Sequence, residues 1–182
     1  IACEPETRFQ LTAAQLSELD SAPAGVIIAS PANPTGTIIP DDELEAIAAV
    51  CRARGIVVVS DEIYHGLSYV GPTPSMLQFE ADALVINSFS KYWSMAGWRL
   101  GWLVAPEAHV AAARAYMGNL FLTPPSLSQH AGLVAMDCTG ELEGHIQTYA
   151  RNRALLLDAL PSLGLQRIAP PDGAFYVWAD IG

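Results

Sequence analysis

The chain has 182 residues, of which 51% are hydrophobic and 15% are charged, so it can bury a sizeable core and is not expected to be disordered. Its net charge is −10 and it has no basic stripe, which excludes nucleic-acid binding by this segment. No apolar run reaches the roughly 18 residues that a membrane-spanning helix needs, so no contact with a membrane is expected.

Cysteines and histidines form no metal or disulfide pattern. The three cysteines are odd in number and include no CxxC pair, and the four histidines lack the spacing of metal ligands. We therefore expect reduced thiols, no metal site and a cytoplasmic protein. The chain opens with Ile1 instead of Met, and we expect it to be a piece of a longer protein.

Capping signals predict two helices in the first 55 residues. Thr12 and Gln15 form a capping box, which predicts a short helix from that point. Asp41 or Asp42 is expected to cap a longer helix. Gly55 would end that helix, because glycine readily adopts a left-handed backbone.

Short apolar runs predict the strands of a sheet. They cover residues 26–29, 56–59, 84–86 and 100–104, and they alternate with helical patterns. The β-branched run at 56–59 is typical of a strand that is buried on both faces. This alternation predicts an α/β fold, with a mostly parallel sheet, helices on both faces and right-handed crossovers.

The last third of the chain predicts two helices followed by a strand. Residues 126–137 and 141–160 are expected to be helical, and residues 173–178 are expected to form a strand. We expect residues 1–145 to belong to a large domain and residues 146–182 to begin a smaller α+β domain.

Polar side chains follow the predicted strands at their carboxyl ends, where ligands of such sheets bind. An aldehyde cofactor with a pyridine ring and a phosphate needs an amine, a carboxylate at the ring nitrogen and donors to the ring hydroxyl. It also needs hydroxyls and a guanidinium for the phosphate. Lys91 is the only lysine of the chain, which favours a catalytic role over a solvated surface charge. The set that supplies these groups is Asn33, Asp61, Tyr64, Ser88, Ser90, Lys91 and Arg99.

Three segments that contain these residues resemble the motifs of a known group of enzymes. Asn33–Gly36, Asp61–Tyr64 and Ser88–Lys91 are similar to motifs of fold-type I pyridoxal-phosphate enzymes. More narrowly, they resemble the class I/II aminotransferases of the aspartate aminotransferase superfamily. The resemblance runs from about residue 24 to residue 182. It implies the large cofactor-binding domain of the aspartate aminotransferase fold, the cofactor pyridoxal 5′-phosphate and a homodimer.

The resemblance also implies a role for each matched residue around the cofactor ring. Lys91 forms the Schiff base and moves a proton between the substrate α-carbon and the cofactor C4′. Asp61 pairs with the ring nitrogen, and Tyr64 and Asn33 donate to the ring oxygen.

The resemblance implies that the loop around Lys91 binds the phosphate of the cofactor. Ser88 and Arg99 match phosphate ligands, and Arg99 lies eight residues after Lys91 as in the family. Ser90 either contacts the phosphate or only turns the loop.

The implied function is transfer of an amino group between an amino acid and a 2-oxo acid through a Lys91 Schiff base. Two alternatives stay open: a β-elimination on the same scaffold, or the ligand-sensing domain of a transcription regulator. A structural domain with a decayed site is a third, which the complete residue set disfavours. The family's arginine for the substrate carboxylate is expected beyond Gly182, so we expect these 182 residues alone to be inactive. The sequence does not identify the amino acid.

Overall fold

The computed structural model describes residues 1–181 and contains a four-stranded sheet in the order β1-β2-β3-β4. The pairs β1–β2 and β2–β3 are parallel, and β3–β4 is antiparallel. The expected α/β fold with a mostly parallel sheet is confirmed. The strands are β1 (Gly25–Ala29), β2 (Val57–Asp61), β3 (Leu84–Ser88) and β4 (Gly101–Val104).

Five α-helices lie within the described residues. The predicted capping box is confirmed, since the Thr12 hydroxyl accepts from the Gln15 N–H at 3.2 Å and the Gln15 side chain accepts from the Thr12 N–H at 3.0 Å. No helix in the described part of the chain has both the length and the apolar character that crossing a bilayer requires. The helices are α1 (Ala13–Ser17), α2 (Asp41–Arg54), α3 (Glu107–Phe121), α4 (Ser126–Ala135) and α5 (Thr139–Ala159).

The predicted cap of α2 at Asp41 or Asp42 is wrong. Pro40 occupies the cap position in an extended conformation, with φ −62° and ψ 156°, and both aspartates already lie in the first helical turn. The ring of proline fixes φ near this value, and the carboxylates still interact favourably with the N-terminal end of the helix dipole. The predicted end at Gly55 is confirmed, with φ 66°.

The main core lies between α1, α2 and one face of the sheet. Leu16 of α1, Ile47 of α2 and Val58 of β2 are at most 2% exposed. Side chains alternate along a strand, so Val57 points to the other face, and it is 48% exposed. The expectation that residues 56–59 are buried on both faces is therefore wrong at Val57, because α1 and α2 pack on one face.

A two-stranded antiparallel sheet of β5 (Ile168–Ala169) and β6 (Trp178–Ala179) follows α5. The predicted strand at 173–178 is wrong over most of its length, because only Trp178 enters β6. Ala174 has φ 57°, a left-handed conformation that interrupts an extended run. The two predicted helices before it are confirmed as α4 and α5, with ends that differ by one or two residues.

Candidate active site

Parallel strands end together at one edge of the sheet, and the predicted residues follow these ends. In the register, Ala29 of β1 lies opposite Asp61 of β2, and Asp61 lies opposite Ile86 of β3. Asp61 is the last residue of β2, and its Oδ1 accepts the N–H of Ile63 at 3.1 Å. Lys91 lies in the turn after β3.

Tyr64 lies at the centre of the candidate site and is only 3% exposed. The Asn33 side chain lies close enough to the Tyr64 hydroxyl to lower its pKa, as a hydrogen-bond donor does. Lys91 Nζ lies 5.4 Å from the centroid of the Tyr64 ring. The structure thus brings together three residues that are 27 or more positions apart in the chain.

The surroundings of Tyr64 keep its hydroxyl protonated. Burial is the largest cause that raises the pKa of Tyr64 above its ordinary value. The hydrogen bond with Tyr176 and the negative charge of Asp61 raise this pKa further, whereas the Asn33 side chain lowers it. The phenol therefore has a proton to donate at neutral pH.

The serines after β3 form a compact hydroxyl cluster. The Oγ atoms of Ser88 and Ser90 lie 2.8 Å apart, and the Ser90 N–H donates to Ser88 Oγ at 3.0 Å. Ser88 Oγ also lies 3.0 Å from the carbonyl oxygen of Leu100. Arg99 precedes Leu100, but its exposed guanidinium donates to the Ala96 carbonyl at 3.1 Å instead of to a serine.

Two further residues of the site escaped the sequence analysis. The hydroxyls of Tyr64 and Tyr176 lie 2.5 Å apart, and Lys91 Nζ lies 5.6 Å from the centroid of the Phe175 ring. A regular strand would send Phe175 and Tyr176 to opposite faces. Both rings contact Tyr64, with centroids 5.6 Å away, because the left-handed Ala174 interrupts the extended backbone. Two adjacent aromatic residues were the only signal in the sequence.

A buried carboxylate supports the turn that carries the site. Glu62 is 3% exposed, and its Oε1 accepts hydrogen bonds from Ser60 Oγ, Ser75 Oγ and the Met76 N–H at 2.9–3.1 Å. Its Oε2 lies 3.3 Å from His65 Nδ1. Burial lowers the pKa of His65, although the charge of Glu62 opposes this shift. Glu62 thus links β2, the following turn and the 3₁₀ turn at Met76–Gln78.

Comparisons with known proteins agree with this geometry. The family model for aminotransferase class I and II matches residues 1–182. A valine–pyruvate aminotransferase from Mycobacterium tuberculosis is 51% identical over 185 residues, which cover 100% of this chain and 48% of that protein. The chain spans about half the length of the curated relatives it matches.

Solved structures give the same result. The crystal structure of an aminotransferase from Mycobacterium tuberculosis has a TM-score of 0.94 at 50% identity and covers 100% of this chain and 48% of that one. The aspartate aminotransferase from Thermus thermophilus with maleate has a TM-score of 0.88 at 31% identity, covering 97% of this chain and 48% of that one.

Proposed function

Because this chain belongs to the class I and II aminotransferase family, we propose that the protein transfers an amino group between an amino acid and a 2-oxo acid, with pyridoxal 5′-phosphate held at Lys91. The observation that carries the proposal is the convergence on Tyr64. The Lys91 amine, the Asn33 amide and the Asp61 charge all act on this one buried phenol. Such a set of titratable and donor groups at the carboxyl ends of strands is typical of a catalytic site.

The donor set fits pyridoxal 5′-phosphate group by group. Lys91 would hold the aldehyde carbon, Asp61 the ring nitrogen, and Tyr64 with Asn33 the ring oxygen. When bound, the cofactor supplies an electron-accepting ring and a carbon that receives the amino group. Hydroxyls and a guanidinium suit a phosphate, since they provide several directed donors. The phosphate would be held by Ser88, Ser90 and Arg99.

Each side chain then has a defined task. The Asp61 carboxylate holds a proton on the ring nitrogen, because a nearby negative charge favours the protonated ring. With the cofactor bound, Lys91 Nζ would take the proton from the substrate α-carbon and give it to the cofactor C4′. Tyr64, which stays protonated, donates to the ring oxygen. The Phe175 ring lies beside this amine, with its centroid 5.6 Å from Nζ.

Valine is the first amino donor to test and pyruvate the first acceptor. The reason is the valine–pyruvate aminotransferase that is 51% identical over the whole of this chain. Aspartate is the second donor to test, because the aspartate aminotransferase from Thermus thermophilus with maleate is 31% identical.

Reduction with borohydride tests the attachment of the cofactor. Full-length protein incubated with pyridoxal 5′-phosphate and reduced should carry the cofactor mass on the peptide that contains Lys91. Lys91→Ala should carry none, and Lys91→Arg controls for the loss of positive charge and should also carry none. Labelling of another residue in the wild-type protein would contradict the proposal.

Product analysis separates the reaction classes. Transamination needs a 2-oxo acid acceptor and releases no ammonia, whereas β-elimination releases ammonia and a 2-oxo acid from a single amino acid. A ligand-sensing domain would bind the cofactor but would catalyse neither transamination nor β-elimination. We expect turnover that depends on the acceptor, without ammonia. Ammonia release without an acceptor would favour the elimination reaction.

We also propose a cytoplasmic homodimer with a domain boundary near residues 145 and 146. Three free cysteines support a reducing compartment such as the cytoplasm.

Exposed apolar side chains support the homodimer. Tyr116 and Leu120 of α3 and Leu133 of α4 are 63–69% exposed, which is a large apolar area for a surface that faces only solvent. Light scattering of the full-length protein should give twice the mass of one chain.

A further inference from the structure

We propose that Tyr176 is a positioning residue, whose hydroxyl orients the Tyr64 hydroxyl toward the ring oxygen of the cofactor. The inference rests on the proposed function, because it assigns a partner to a residue of that site. Its starting point is the 2.5 Å contact between the two hydroxyls, which joins residues 112 positions apart.

The backbone around Tyr176 is held to the loops of the candidate site. The carbonyl of Gly36, in the loop of Asn33, accepts the N–H groups of Asp172 and Gly173, both at 2.9 Å. The carbonyl of Leu67, three residues after Tyr64, accepts the N–H of Ala174 at 2.8 Å. The residues just before Tyr176 are therefore held by hydrogen bonds to the loop of Asn33 and to the turn after Tyr64.

A second tyrosine holds the same segment. The hydroxyl of Tyr69 donates to the carbonyl of Ala174, which is fully buried and left-handed. A buried residue in this uncommon conformation persists only where its surroundings over-determine it. The segment thus adopts a conformation that sends the Tyr176 ring to Tyr64, with centroids 5.6 Å apart.

Counting protons sets the direction of the hydrogen bonds. Each hydroxyl has one proton and two acceptor lone pairs. Either hydroxyl can be the donor in the contact between Tyr64 and Tyr176, and the raised pKa of Tyr64 corresponds to Tyr64 as the donor. If Tyr64 instead gives its proton to the ring oxygen of a bound cofactor, a lone pair of Tyr64 can accept the proton of Tyr176. A phenol that accepts a hydrogen bond becomes a stronger donor, because successive bonds polarise one another. The chain of donors runs from Tyr176 to Tyr64 and then to the ring oxygen.

The consequence is a change in the proton affinity of the lysine-bound cofactor. Hydrogen-bond donors to the ring oxygen stabilise its negative charge. They therefore lower the pKa of the nearby nitrogen that joins Lys91 to the cofactor. Removal of the Tyr176 hydroxyl should raise the pH midpoint of the cofactor absorbance band by roughly 0.1–0.7 unit, which corresponds to about 10–30% of the strength of a hydrogen bond to a charged oxygen.

The experiment is a pH titration of this band in full-length protein loaded with pyridoxal 5′-phosphate. Tyr176→Phe should raise the midpoint, and Tyr64→Phe should raise it more. The double variant should match Tyr64→Phe, because Tyr176 acts only through Tyr64. Tyr149→Phe is the matched control, since its ring belongs to the same aromatic cluster and contacts Phe175 at 5.6 Å. Its midpoint should equal that of the wild type.

The outcomes separate the two proposals. If the wild-type protein shows no lysine-bound band, the proposed function and the role of Tyr176 both fall. If the band is present but Tyr176→Phe titrates like the wild type, only the role of Tyr176 is overturned. It is also overturned if the effects of Tyr64→Phe and Tyr176→Phe add in the double variant, because Tyr176 would then act independently of Tyr64.

Discussion

Gly173 lies where the segment that carries Phe175 and Tyr176 packs closely against the loops of the candidate site. A Cβ atom on this residue would lie 2.4 Å from the carbonyl oxygen of Leu67 and 2.8 Å from Cγ of Pro31. Neither neighbour can easily move, because Pro31 and Leu67 are buried and the Leu67 carbonyl accepts the N–H of Ala174. Gly173→Ala must therefore displace backbone.

The expected loss of stability follows from two contributions. Overpacking of a well-packed region costs about 1–3 kcal/mol. Weakening of the hydrogen bond between Ala174 and Leu67 costs a further 0.5–1.5 kcal/mol or so. We expect Gly173→Ala to lower the free energy of unfolding by about 2–4 kcal/mol and to weaken cofactor binding, since Phe175 and Tyr176 follow directly.

Urea denaturation of the full-length protein measures this loss. Gly140→Ala is the matched control, because a Cβ at this position in α5 has no neighbour within 4 Å. Alanine also favours the helix, so the control should keep or gain up to about 1 kcal/mol. The reasoning would be refuted if Gly173→Ala and Gly140→Ala had the same unfolding midpoint.

Variants at three further positions test residues in and around the site. Glu62→Ala should lower the free energy of unfolding, measured in urea, by about 3–5 kcal/mol, because alanine leaves several buried partners unpaired. Glu62→Gln should lower it by less, and equal losses in the two variants would contradict this role of Glu62. The lowered pKa of His65 lies below its ordinary value of 6.5, so the unfolded chain binds more protons between these two values. Stability should therefore fall as the pH drops below 6.5, and His65→Gln should flatten this dependence; an unchanged slope would count against it. Arg99 has φ 52°, which suits glycine, so Arg99→Gly should retain stability. The dissociation constant of the Arg99→Gly protein for the cofactor, measured by equilibrium dialysis, should still rise by about 10-fold or more. An unchanged constant would exclude a role of Arg99 in binding the phosphate.

Local signals in the sequence predicted what depends on local contacts. The capping box at Thr12 and the end of α2 at Gly55 were predictable, because each involves atoms within a few residues of the chain. The cap of α2 was misplaced by one or two residues, since both Pro40 and the aspartates after it suit a helix start. The strand run at 56–59 located β2, and with it the position of Asp61.

Contacts between residues far apart in the sequence could not be predicted from such local signals. The pairing of Tyr176 with Tyr64 depends on the left-handed Ala174, and nothing in a Gly-Ala-Phe-Tyr sequence requires alanine to adopt that conformation. The four interactions of Glu62 were equally hidden, because Ser75 and Met76 reach it through a turn that has no apolar periodicity.

We propose that Lys91, Asp61 and Tyr64 together hold one pyridoxal 5′-phosphate molecule. A crystal structure of the full-length protein with this cofactor tests the claim most directly. We predict continuous density from Lys91 Nζ to the cofactor, with the Asp61 carboxylate at the ring nitrogen and the Tyr64 hydroxyl at the ring oxygen. Density for the cofactor at another lysine, or with Asp61 away from the ring nitrogen, would contradict the account.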